Sequence, residues 1–99
     1  MGSMPRKSLA EIVLSEYRRI EEEAGEKYLV VYDFKLTLRR SIPEKFYRNL
    51  SRIMKWGRCE FVQKSVLLCE GLSTALAVAK LARHYGAEVK VFRVYPITV

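Results

Sequence analysis

The stretch KYLVVYDF, residues 27–34, constrains the fold of this chain more than any other. Tyr28 to Tyr32 is apolar without a break. A strand with no polar alternation expects cover on both faces, which places it inside a sheet and not at its edge. The run ends abruptly on Asp33 and hands over to a basic loop, Lys35 to Arg40, that closes with Arg39 and Arg40. The fold must therefore seat this strand centrally and leave a lone carboxylate at its exit.

The other segments supply its neighbours. Upstream, Ser8-Leu9-Ala10-Glu11 is a capping box with Ser8 as N-cap. Leu9, Ile12, Val13, Tyr17 and Ile20 recur at helical spacing until Ala24-Gly25 stops the helix, after about four turns. Its apolar stripe must pack on this domain, on a second copy or on a partner. Downstream, Ser41-Ile42-Pro43-Glu44 forms a second capping box. Ile42, Phe46, Leu50, Ile53 and Met54 make the apolar face of that helix, and Gly57 ends it. Lys45, Arg48, Arg52 and Lys55 fall at i, i+3, i+7 and i+10 and form a basic stripe on another face.

Arg58 to Cys69 is too long for one average strand and is divided into two, bending near Gln63-Lys64. Leu72 to Tyr85 is a third helix, opened by Ser73 or Thr74 and closed by Gly86. Leu76, Ala79, Ala82 and Tyr85 turn inward, and Lys80, Arg83 and His84 outward. Glu88 to Tyr95 alternates as a last strand, ended by Pro96. The order is a helix followed by β-α-β-β-α-β. It predicts an α+β, ferredoxin-like domain: a four-stranded antiparallel sheet with two helices on one face, plus an extra N-terminal helix. Residues 1–26 hold a cloning scar, MGSM, and that helix; residues 27–99 are the domain.

A chain of 99 residues buries only about 60–65% of its unfolded surface, so a dimer that buries more would help it. Hydrophobic residues at 49% exclude a disordered chain. The net charge of +7 is local: residues 1–26 carry −2, residues 27–58 carry +7 and residues 59–99 carry +2. A focused basic patch points to a polyanion, most simply nucleic acid. Cys59 and Cys69 are too few for a disulfide framework and read as buried free thiols. His84, the single histidine, cannot build a metal cluster. There is no run of 18 apolar residues and no visible signal peptide, so a membrane partner is not expected and the expected location is the cytoplasm.

On their own the site residues leave alternatives open. Asp33 can cap a loop or bind a cation. Arg39 and Arg40 can be solvated or touch phosphates. Trp56 reads as core, with base stacking as the other option. His84 reads as surface.

The motifs together resemble one family. YLVVYDF ending in Asp33, the pair Arg39-Arg40, FVQKSVLLCEGL at residues 61–72 and VKVFRVYPI at residues 89–97 are similar to the CRISPR-associated protein two (Cas-two) family. That family is the small ferredoxin-fold dimer of spacer acquisition, and the likeness covers residues 28–97. It implies a homodimer that binds DNA or RNA and docks a CRISPR integrase. It implies one Mg²⁺ or Mn²⁺ ion shared at the dimer axis by two copies of Asp33, as metal and catalytic residue of a metal-dependent endonuclease, or a non-catalytic bridging role. Arg39 and Arg40 carry over as phosphate contacts, with Lys45, Arg48 and Arg52 joining them from the basic stripe. Tyr32, Gln63 and Ser65 carry over as signature, structural positions. The chain departs from the pattern in its N-terminal helix, in Leu67 where the family has an aromatic, in two residues inserted between Gly57 and Val62, and in the short tail after Pro96. The alternatives outside the family are a ferredoxin-fold RNA-binding module, whose Lys/Arg-Gly-Phe-type signature is missing, and a toxin-type ribonuclease.

Overall fold

The structure, a computed structural model, describes residues 7–17, 25–35, 41–95 and 97. Within them the chain forms α1 (Leu9–Tyr17), β1 (Lys27–Asp33), α2 (Glu44–Trp56), β2 (Cys59–Gln63), β3 (Val66–Glu70), α3 (Leu72–His84) and β4 (Glu88–Val94). The strands make one sheet in the order β2-β3-β1-β4, with every neighbouring pair antiparallel. This is the ferredoxin-like arrangement with an added N-terminal helix. No helix among the described residues is long and apolar enough to cross a membrane.

β1 is central, as its apolar run demands, but the described residues cover only one of its faces. Tyr28, Val30 and Tyr32 are buried, whereas Leu29 and Val31 are half-buried and Asp33 is exposed. The reason is the layering. The core of Phe46, Leu50, Ile53, Leu67, Val78 and Leu81 lies on the side of Tyr28, Val30 and Tyr32. The opposite face has no covering element among the described residues.

α3 is buried more widely than one stripe predicts: Thr74, Ala75, Ala77, Val78, Ala79, Leu81 and Ala82 are all inside, while Leu76 is half-buried. It packs on the sheet, on α2 and on α1 at once, and its alanines let three neighbours approach. Lys80, Arg83 and His84 are exposed, as expected.

The expected caps hold in part. The Glu11 N–H donates to Ser8 Oγ at 3.2 Å, so the first capping residue is as predicted. Ser41 is not a cap: α2 begins after an extended Pro43 with no side-chain cap bond, which leaves Ser41 two positions upstream of the N-cap. Nor do Ser73 or Thr74 open α3. Gly71, at φ +91°, takes that place. Thr74 is instead pressed against Gly57, where an added Cβ would lie 2.5 Å from Thr74 Cγ2. A glycine is required there by close approach, besides ending α2. The β2–β3 strands split at Lys64-Ser65, one residue past the expected bend near Gln63-Lys64, with Ser65 in the left-handed region at φ +66°.

The N-terminal helix is part of the same core. Its buried residues are Ala10 and Val13, and Ile12 is 42% exposed, so the inward line is rotated from the expected stripe. The expected continuation through Ile20 to Ala24 lies outside the described residues. Asn49 of α2 ties the elements together. Its Oδ1 accepts the Ala10 N–H at 3.0 Å, and its Nδ2 donates to the Lys45 carbonyl at 2.9 Å and to the Tyr85 hydroxyl at 3.5 Å. An ion pair between Lys80 and Glu16 adds an exposed link between α3 and α1. Asn49→Ala leaves the Ala10 amide buried without a partner and is expected to cost about 1–3 kcal/mol, read as a lower urea midpoint at unchanged slope.

Candidate nucleic-acid interface and acidic site

α2 turns Phe46, Asn49, Leu50 and Ile53 inward, so helical periodicity forces its charged residues out. Lys45, Arg48, Arg52 and Lys55 are all exposed. Arg48 meets Glu44 one turn earlier at 3.5 Å, an exposed pair of little energetic weight. Lys45, Arg52 and Lys55 have no ion pair among the described residues. These cations are therefore available to an external anion.

Trp56 corrects an expectation. It is 59% exposed and not a core residue. Arg48, Arg52 and Trp56 stand at i, i+4 and i+8, on one line of the helix surface. Tyr47 is exposed on the same helix. Cations interleaved with aromatic faces can hold phosphates and stack bases. The signal in the sequence was Trp56 directly beside the helix-ending Gly57, where a helix has run out of core to face.

Asp33 lies on another surface. β1 alternates, so Asp33 shares the helix-free face with Leu29 and Val31. Pairing sets Glu88 of β4 directly opposite Asp33, and Lys90 opposite Val31. Lys35 Nζ holds Glu88 Oε1 at 2.8 Å. That bond, and then the charge of Lys35, lowers the Glu88 pKa and keeps it ionised; the same bond to Glu88 raises the pKa of Lys35. The Asp33 side chain makes no hydrogen bond or ion pair among the described residues, so no loop-capping bond appears within them, and its charge acts on the nearby Lys35. Glu88 and Lys90 were not legible as neighbours of Asp33, because the pairing register, not the strand, brings them there.

The same face carries an apolar row. Leu68 of β3, Leu29 of β1 and Phe92 of β4 stand directly across from one another. Val66 and Val31 pair in the next row, and Val94 closes the far side. Phe92 is 49% exposed. Within one chain, no group of three or more His, Cys, Asp or Glu among the described residues could hold a metal ion. Asp33 is one exposed carboxylate and Glu88 is engaged by Lys35, so a divalent cation would need carboxylates from a second copy. The basic stripe sits on the helix side and Asp33 on the open sheet side, so one chain does not bring them together as expected. Arg39 and Arg40 lie outside the described residues.

Tyr32, Gln63 and Ser65 meet at the junction of β1 with the β2–β3 hairpin. The Tyr32 N–H donates to the Ser65 carbonyl at 3.1 Å, and the Tyr32 hydroxyl lies beside Ser65 and Tyr47. Ser65, in its left-handed turn, thus fastens the β2–β3 hairpin to the central strand. Gln63 pairs with Val66 at the hairpin end and is exposed. The Tyr32 ring stands edge-on to Phe34 and Phe46, at 5.7 and 5.2 Å between centroids.

Burial first, then the neighbouring Tyr47, pushes the Tyr32 hydroxyl up to about 12; the Ser65 side chain opposes this. In the unfolded chain it ionises near 10. The folded chain keeps the proton where the unfolded one has lost it, so this stabilisation is present below pH 10 and is lost as pH rises through about 12. Tyr32→Phe should flatten the fall in melting temperature across that window. Comparisons with protein-family models, with curated proteins and with solved structures return no match to this chain.

Proposed function

We propose that this chain is a nucleic-acid-binding homodimer of the CRISPR-associated protein two type, serving spacer acquisition beside an integrase partner. The observation that carries the reading is the sheet face that no described element covers, where the row Leu68, Leu29 and Phe92 runs beside the exposed Asp33. Two such faces packed about a twofold axis bury apolar area that a short chain cannot bury alone. They also bring the two copies of Asp33 toward the axis. Bare carboxylates about 4 Å apart repel by about 4 kcal/mol at an effective dielectric near 20, so the pair suits Mg²⁺ or Mn²⁺. The two Asp33 carboxylates would hold such a cation, which would supply charge neutralisation and an activated water for phosphodiester hydrolysis.

Binding and assembly rank ahead of hydrolysis in this reading. The free cations Lys45, Arg52 and Lys55, with Arg48 and Trp56, face outward on α2, so each copy offers one cationic ridge. Asp33 sits on the inward side of the dimer. Nucleic acid then lies along the ridges, and integrase docking needs no catalysis from this chain.

The test couples binding to cleavage. Duplex DNA and single-stranded RNA are titrated across a salt series with wild type and with Arg48→Gln/Arg52→Gln. Loss of two phosphate contacts is expected to lower the duplex salt slope by about 2. The same substrates are incubated with Mg²⁺, Mn²⁺ or EDTA, using wild type and Asp33→Asn. Metal-dependent cleavage that disappears in Asp33→Asn adds the enzyme to the scaffold. Duplex binding that ignores both salt and the double substitution overturns the interface.

A further inference from the structure

The hairpin β2–β3 holds a second chemistry. Cys59 and Cys69 are direct cross-strand partners. The neighbouring Glu70 N–H donates to the Arg58 carbonyl at 2.8 Å, which makes residues 58 and 70 the hydrogen-bonded pair of the ladder. Cys59 and Cys69 are therefore a non-hydrogen-bonded pair, the kind whose Cα atoms approach to about 4.5 Å and whose side chains lie closest. A disulfide accepts Cα separations from about 4.4 Å. The two sulfurs are 2.7 Å apart, well inside van der Waals contact. They are the two cysteines of the chain, so neither has another intrachain partner.

We infer that Cys59 and Cys69 form a reversible intrachain disulfide across the β2–β3 rung. The oxidant is a small disulfide, such as oxidised glutathione. The Cys59 thiolate attacks one of its sulfurs, the S–S bond breaks, and one thiol leaves. The Cys69 sulfur then loses its proton and attacks Cys59 Sγ, releasing the second thiol. Two S–H bonds are replaced by one S–S bond, and the oxidant is reduced to two thiols.

The order of attack follows from exposure. Cys59 is half-buried and Cys69 fully buried, so Cys59 meets the oxidant. The Cys69 thiol is pushed far up, first by its interaction with the Cys59 thiol and then by burial, so it keeps its proton and takes no part in the first step. Once Cys59 is in the mixed disulfide, the first of those causes is gone. The product clamps β2, an edge strand with a single partner, to β3. Its rung adjoins Arg58 and Glu70, which already pair at 3.4 Å.

The full chain is incubated with oxidised glutathione, unfolded, treated with iodoacetamide and weighed intact. The expected wild-type result is a loss of about 2 Da, no alkylation, and a peptide linking residues 59 and 69, all reversed by dithiothreitol. Cys69→Ser should stop at a glutathione adduct on Cys59. Cys59→Ser should stay unmodified while folded. Two alkylated thiols in oxidant-treated wild type, a stable glutathione adduct on wild-type Cys59, or disulfide-linked dimers would each overturn the inference. The wild-type mass alone decides if either variant fails to fold.

Discussion

A ferredoxin-like sheet has helices on one side only, and this asymmetry governs the molecule. β1 lies between β3 and β4, so its backbone is fully paired and its side chains must satisfy two different environments. Inward, Tyr28, Val30 and Tyr32 meet the helices and are buried. Outward, Leu29 and Val31 meet no element among the described residues. The cross-strand partners of Leu29 are Leu68 and Phe92, apolar on both sides. Three neighbouring strands that agree in leaving apolar groups on the bare face are harder to explain by chance than one exposed leucine. Burying side chains of this kind is worth about 1.5–3 kcal/mol each, a large fraction of what a domain of this size retains.

The N-terminal helix answers to a different need. α3 is rich in alanine and contacts sheet, α2 and α1. Without α1, part of its surface would face water. Asn49 makes the packing specific. A buried amide that accepts from α1, donates within α2 and reaches Tyr85 beyond the end of α3 allows few relative positions of those elements. α1 therefore belongs to the folding unit, and the division of the chain at residue 26 marks a change of charge more than a change of core.

Most of the architecture was legible because it depends on periodicity. The capping Ser8, the basic stripe of α2 and the glycine stop at Gly86 are local signals, and each fell where local chemistry put it, while the hairpin bend came within one residue. What was not legible depends on contacts made at a distance. An unbroken apolar run cannot say whether its second face is covered by its own chain. Ser73 and Thr74 looked like caps, but the close approach of Gly57 and Thr74 made the latter a packing residue. Trp56 looked like core by size alone. The Asp33–Glu88 juxtaposition needed the register of β1 on β4, which no single strand encodes. The two cysteines looked like separate buried thiols until the register of β2 on β3 set them opposite each other.

The separation of charge follows from the same asymmetry. A helix can place cations only on the side away from the core, and α2 covers the sheet on one face, so its stripe must point away from β1's outer surface. The strand end can offer Asp33 only to the outer surface, by the alternation of the pleat. In a monomer these two groups face opposite sides of the sheet. Under the proposed dimer the carboxylates converge on the axis while the cationic ridges diverge. A polyanion drawn to the ridges is then held away from the acidic centre, apart from any strand end or loop that reaches the axis. Under that proposal the chain grips nucleic acid and presents it to a partner. Catalysis at Asp33 would require cations from the β1–α2 connection, where the sequence places Arg39 and Arg40.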